Sequence, residues 1–256
     1  MRNKMKFYLL FFLIFIFPLI SSELFGREFE KIASFEAWRG EISVGNDGLV
    51  RIINDMGTHY MRNRKDTLEA EKRNPGWKGE YYSYEDYKWN GSEYKKIYKG
   101  FTDNVGSVTL SGDTIDPRNG VNFDALDLRI SPGLSKELLS QLDKIKYFEQ
   151  ADVDCDGKDE KILVYTEKAD RKVYPDYQPV ILLVYELVDN KSVIEYDFRI
   201  ADGARGGPLE IRDVTQDSCP EIILHIVWVG GSGYTDEVLI FGVRKQIKKK
   251  KAEEKK

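Results

Sequence analysis

The sequence predicts an all-β protein, mainly antiparallel, with one short helix. Three observations carry this expectation. Short apolar and aromatic runs alternate with turns rich in Gly, Asn and Asp across residues 27–243, the punctuation of a strand-built chain. Asn90-Gly91 and Asp189-Asn190 sit between such runs as hairpin turns. A carboxylate-rich loop followed at once by an apolar strand occurs twice in the C-terminal half.

Taken in order, the chain opens on an export signal. Arg2, Lys4 and Lys6 precede the unbroken apolar run Phe7 to Phe17, closed by Pro18-Leu19-Ile20 and Ser21-Ser22. The run is short for a membrane span and the right length for a signal-peptide core. Residues 1–22 are expected to be removed, with cleavage somewhere in Ser21–Gly26. An uncleaved anchor is the competing expectation. The product is expected outside the cytoplasm, whether periplasmic, on the outer surface or secreted, with no stable membrane span after processing.

Residues 27–149 read as a β-rich N-terminal region. Glu41 to Ile53 is strand, turn, strand, with Asn46-Asp47-Gly48 at the turn. Tyr84 to Ile97 is the clearest hairpin, and Asn90-Gly91 predicts a tight type I′ turn. Val108–Leu110 and Leu126–Ile130 read as short strands. One helix stands out next: Ser135 can cap it, Glu137 sits in its first turn, and Leu138, Leu139, Leu142 and Ile145 share a face. Tyr185 to Tyr196 is a further hairpin turned at Asp189-Asn190, and Val238 to Phe241 is a strand.

The chemistry concentrates in residues 150–243. Asp152, Asp154, Asp156 and Glu160 fall at loop positions 1, 3, 5 and 9, with Gly157 at position 6. Alternate residues turn carboxylates inward, the glycine takes the bend, and Lys158 at position 7 can offer its carbonyl, which is how a short loop wraps a hard cation. Position 12 is Leu163, so the loop is not a complete EF-hand. The strand Lys161 to Tyr165 begins instead. The pattern returns from Asp213 to Glu221, a period of 61, with Asp213, Thr215, Asp217 and Glu221 at positions 1, 3, 5 and 9 and Cys219 at position 7. Ile222 to Val227 then follows as a strand. The second loop has three carboxylates against four, and Thr215 and Ser218 at positions 3 and 6, so it is expected to contribute less.

This loop-then-strand repeat resembles the FG-GAP / VCBS repeats of the integrin-alpha N-terminal type. The likeness covers residues 150–243, including the lead-in Gly207 to Asp213 and the lead-out Glu221 to Leu224. The resemblance implies calcium as the loop ligand and one blade of a β-propeller per repeat. Asn46-Asp47-Gly48 resembles part of the loop and marks a candidate eroded copy. At about sixty residues per blade the chain holds fewer than the four blades at the low end of the usual range. A partial propeller, one completed by assembly, and a smaller β-sandwich all stay open.

The remaining features bound the function. The net charge is −4; residues 1–22 carry +3 and residues 244–256 carry +6, leaving −13 on residues 23–243. An acidic body argues against nucleic acid as a partner. The Lys-rich 244–256 reads as a disordered tail. Two cysteines in an exported chain invite one disulfide. Cys155 and Cys219 lie at position 4 of the first loop and position 7 of the second; two free thiols are the expectation, with a bridge between them as the alternative, since the sequence does not show whether the sulfurs come close enough. Catalytic equipment is sparse. There are two histidines, His59 and His225, with no H-E-x-x-H and no phosphate loop. Gly230 to Tyr234 misses the G-x-S-x-G elbow because Tyr234 stands at its last glycine. Tyr81, Tyr82, Tyr84, Tyr87, Trp89, Tyr94 and Tyr98 are either sheet packing or a ligand platform. The expectation is therefore an exported, calcium-binding, non-catalytic module that binds a protein or polysaccharide or serves a structural role. The alternatives are an exported glycan hydrolase using carboxylate acid/base chemistry and a membrane-anchored surface protein.

Overall fold

The computed structural model describes residues 28–57, 63–110, 134–168, 179–200, 204–230 and 233–244. Twelve strands and two α-helices lie among them. The strands are β1 (Glu28–Trp38), β2 (Glu41–Val44), β3 (Val50–Asp55), β4 (Tyr82–Trp89), β5 (Tyr94–Thr102), β6 (Leu142–Ala151), β7 (Glu160–Glu167), β8 (Val180–Val188), β9 (Lys191–Ile200), β10 (Ala204–Arg212), β11 (Glu221–Gly230) and β12 (Gly233–Arg244). The helices are α1 (Arg64–Arg73) and α2 (Lys136–Gln141). The protein is all-β and antiparallel throughout its sheets.

The strands form three four-stranded sheets. The first runs β2-β3-β4-β5 and the second β6-β7-β8-β9, each a simple meander. The third runs β1-β12-β11-β10. The N-terminal strand thus completes the C-terminal sheet, with Glu28 opposite Arg244 and Trp38 opposite Thr235. The division drawn at residue 149 falls inside β6, and β1 belongs with residues 204–244. Sequence order could not show either fact, because β1 finds its partner across almost the whole chain.

The third sheet packs between the other two. Ile222, Leu224, Ile226, Leu239 and Phe241 meet Ile162, Val164, Leu182 and Val184 of the second sheet. Ile223, Val238 and Ile240, on the opposite face, meet Ile42, Val44, Val50 and Ile52 of the first. A strand buried on both faces favours apolar residues at successive positions, which explains the unbroken run Ile222 to Leu224. Full burial of each such side chain contributes about 1.5–3 kcal/mol. The far face of the second sheet, with Leu142, Ile145, Leu163, Tyr165, Ile181, Leu183 and Tyr185, is covered by Leu134 and the half-buried Leu138 and Leu139.

Several local expectations are corrected. Ser135 does cap α2, accepting from the Leu138 N–H, but the helix ends at Gln141. Leu142 and Ile145 lie on β6, so the apolar spacing that seemed one helical face is divided between a helix and a strand. Helix α1 is capped by Asn63, which accepts from the N–H groups of Lys65 and Asp66. It was not foreseen because it buries only Ala70 and so carries no apolar stripe. The β4–β5 loop is not a type I′ turn. Gly91 alone has positive φ, and the Asn90 side chain closes a longer loop by accepting from the N–H groups of Ser92 and Glu93. The turn with two left-handed residues is the other one, Asp189 (φ 52°) and Asn190 (φ 61°), between β8 and β9. Val108–Leu110 is not a strand; it follows a 3₁₀ turn at Val105–Ser107, and the Val108 carbonyl accepts from Arg51. Leu126–Ile130, the leader and residues 245–256 lie outside the described residues.

The tyrosine-rich segment divides by strand alternation. Tyr87 and Tyr94 face the third sheet, each with its ring 5.3 Å from Phe35, and Trp89 packs on Tyr94 at 5.3 Å. Tyr84 and Tyr98 lie on the other face, where the Arg51 guanidinium stacks over Tyr84. Tyr81 and Tyr98 are exposed.

Candidate metal centre

Both acidic loops join an edge strand of a sheet to its neighbour. The first, 152–159, links β6 to β7; the second, 213–220, links β10 to β11. Each is pinned by the valine at position 2: Val153 is fully buried in one core and Val214 is buried in the other. Each ends on a glutamate that opens the next strand and is almost wholly buried, Glu160 and Glu221.

The two loops share one hydrogen-bond scheme. The position 1 aspartate accepts from the N–H groups of positions 5 and 6: Asp152 from Asp156 and Gly157, Asp213 from Asp217 and Ser218. The position 5 aspartate accepts from position 7: Asp156 from Lys158, Asp217 from Cys219. The buried glutamate accepts from positions 2 and 3: Glu160 from Val153 and Asp154, Glu221 from Val214 and Thr215. Backbone conformation repeats too. Cys155 and Gln216 at position 4 have φ 60° and 61°, and Gly157 and Ser218 at position 6 have φ 94° and 72°. Glycine adopts the left-handed region freely, so the first loop is relaxed at position 6 where Ser218 is strained.

These turns gather the carboxylates. Asp152, Asp154, Asp156 and Glu160 each bring an oxygen within 4.8 Å of all the others, and Asp213, Asp217 and Glu221 do the same. Both sets could hold a metal ion. Burial pushes Glu160 up to about 7, with the charges of Asp154 and Glu195 adding to it and the amides of Val153 and Asp154 opposing it. Glu221 is also raised by burial, with the Thr215 hydroxyl and the amides of Val214 and Thr215 opposing it.

Position 3 is where the loops part. Asp154 in the first loop is a carboxylate that can face a cation. In the second, the Thr215 hydroxyl donates to Glu221 Oε1 at 2.7 Å, a protein donor standing where a cation would. The Cys219 sulfur is bonded to Cys155 in a disulfide, so Cys219 has only its carbonyl to offer a metal. That bridge ties the two loops together.

Two residues beside the first loop were not foreseen. Lys158 donates to Glu186 on β8 at 2.7 Å. Glu195 stands at a bulge in the β8–β9 pairing. Its carboxyl is pushed up to about 7 by burial and by Asp154, Glu186 and Asp156. The charges of Asp154 and Asp156 are the part of this shift that a cation bound at the first loop would relieve. No spacing rule finds these residues, because the β8–β9 hairpin meets the loop only after folding. The Asn46-Asp47-Gly48 turn occupies the corresponding place in the first sheet, between β2 and β3. It is shorter; Lys88 pairs with its carboxylate Asp47 at 3.2 Å, and Arg212 donates to Asn46 Oδ1 and the Val44 carbonyl.

The other candidates fall elsewhere. His225 is buried within β11, its Nε2 3.6 Å from Glu210 Oε1. His59, Gly231 and Ser232 lie outside the described residues. No helix among the described residues is long and apolar enough to cross a membrane. Comparison with known proteins found no matching family model, no matching curated protein and no matching solved structure. The likeness to FG-GAP / VCBS repeats rests on the sequence of residues 150–243.

Proposed function

We propose that this is an exported calcium-binding repeat protein of FG-GAP / VCBS type, acting as a non-catalytic binding or structural module. The observation that carries the reading is the shared loop scheme: the same carboxylates meet the same amides at equivalent places in two adjoining sheets. Calcium is favoured over softer metals because the donors are all oxygens, and over magnesium because an open loop suits the larger ion. Export is supported by the N-terminal charge and apolar pattern and by the disulfide, which belongs to oxidising compartments.

Calcium binding to the folded state alone raises stability by about 2.7 kcal/mol at a hundredfold excess over Kd. The Tm should therefore rise with calcium chloride, fall with chelator and respond weakly to magnesium. Asp154→Ala with Asp156→Ala should remove the response. Thr215→Asp, which restores the missing carboxylate, should raise the calcium stoichiometry in a calorimetric titration. Absence of calcium heat, with a melting curve indifferent to chelator, would reduce both loops to acidic turns.

A second reading, an exported glycan hydrolase, draws on Glu195. A carboxyl raised to about 7 by burial and by the charges of Asp154, Glu186 and Asp156 has the form of a general acid near a carboxylate partner. Turnover of a glycan panel that disappears in Glu195→Gln and persists in calcium-depleted protein would favour it.

A further inference from the structure

We propose that the Cys155–Cys219 bridge is a positioning clasp that makes cation binding at the first loop depend on the second, so that opening the bridge weakens the first site. This rests on the calcium reading above. Cys155 lies between the candidate ligands Asp154 and Asp156 and holds a left-handed backbone at φ 60°. Its partner Cys219 is buried, and the Cys219 amide donates to Asp217, a carboxylate of the second cluster.

The two ends of the bridge are held unequally. The second loop is anchored from the first sheet as well: Gln216 donates to the Asp47 carbonyl, and Gly48 lies so close that a Cβ there would meet the Val214 carbonyl at 1.9 Å. Positions 156–159 of the first loop are exposed, and its side-chain tie to β8 is the surface pair Lys158–Glu186. The covalent link therefore passes order from the braced loop to the open one. A dithiol reductant opens it in a balanced step: two electrons and two protons convert the S–S bond into two thiols, and the reductant leaves as its own disulfide.

The test uses the full chain, folded, with the bridge intact, after dithiothreitol, and after re-oxidation, together with Cys155→Ser/Cys219→Ser. Calcium chloride is titrated calorimetrically, and amide hydrogen exchange is followed without calcium. Opening the bridge should weaken calcium binding by about tenfold, the low end for losing a group that orients metal ligands. Re-oxidation should restore it, a recovery that general damage to the fold would not show. The amides of Asp156, Gly157 and Lys158 should exchange at least about tenfold faster, an open-state gain of roughly 1.4 kcal/mol, while that of Ser218 changes little. Unchanged affinity and unchanged exchange would overturn the clasp. If the bridged protein takes up no calcium, the calcium reading fails. The clasp is then decided by exchange alone: selective loss of first-loop protection supports it, and equal or absent change overturns it.

Discussion

Gly157 and Gly48 separate two costs that single residues impose on this fold. Both have positive φ, 94° and 75°, but a Cβ at Gly157 would meet nothing, whereas one at Gly48 would collide with the Val214 carbonyl. Gly157→Ala should therefore lose about 1 kcal/mol, the backbone strain alone. Gly48→Ala should lose clearly more, because the β2–β3 turn must move off the second loop. Urea unfolding of the two variants checks the order, and equal losses would refute the contact. Glu210 supplies the pH dependence. Burial raises its carboxyl, but His225 and Arg212 outweigh this and hold it below the ordinary 4.5. A depressed acid stabilises the fold above its unfolded value and loses that contribution as pH falls through the lower folded value. The Tm should drop as pH is lowered below about 4.5, and Glu210→Gln should flatten that part of the profile.

Among the elements, the β4–β5 hairpin matters through one face. Tyr87 and Trp89 alternate with Tyr84 and Asp86, so Trp89 reaches Tyr94 and the cluster around Phe35. Trp89 is only half-buried, so Trp89→Ala should cost about 2 kcal/mol, less than the 3–5 of a fully buried aromatic. Thermal melts of the variant, alongside binding to a glycan array, check this. Unchanged stability with lost binding would make the hairpin a ligand platform.

At the scale of the molecule, β1 is the closure. Phe29 belongs to the core between the second and third sheets, and Phe35 to the core between the third and first. One strand thus stakes both layers while pairing with β12. A chain beginning at Arg39 should fail to fold cooperatively, since it exposes the β12 edge and opens both cores at once. Circular dichroism and a flat denaturation profile would show this. A cooperative transition of undiminished midpoint would mean β1 is an accessory strand.

What the sequence determined by itself was what lies within a few residues of itself. The two loops were legible because positions 1 to 9 complete their contacts locally, and glycine or carboxylate at each position has one evident use. Strand identity was legible wherever both faces are buried, as at Ile222 to Leu224. The Asp189-Asn190 turn was legible for the same local reason, while Asn90-Gly91 pointed to a turn type that the Asn90 side chain displaced. Tertiary structure decided the rest. It chose β12 as the partner of β1, brought Cys155 onto Cys219, laid Glu186 and Glu195 beside the first loop, and set Thr215 against Glu221 where a ligand was expected. Each of these depends on which sheet packs against which. That choice is made by the sum of many buried side chains across distant segments, and no local spacing records it.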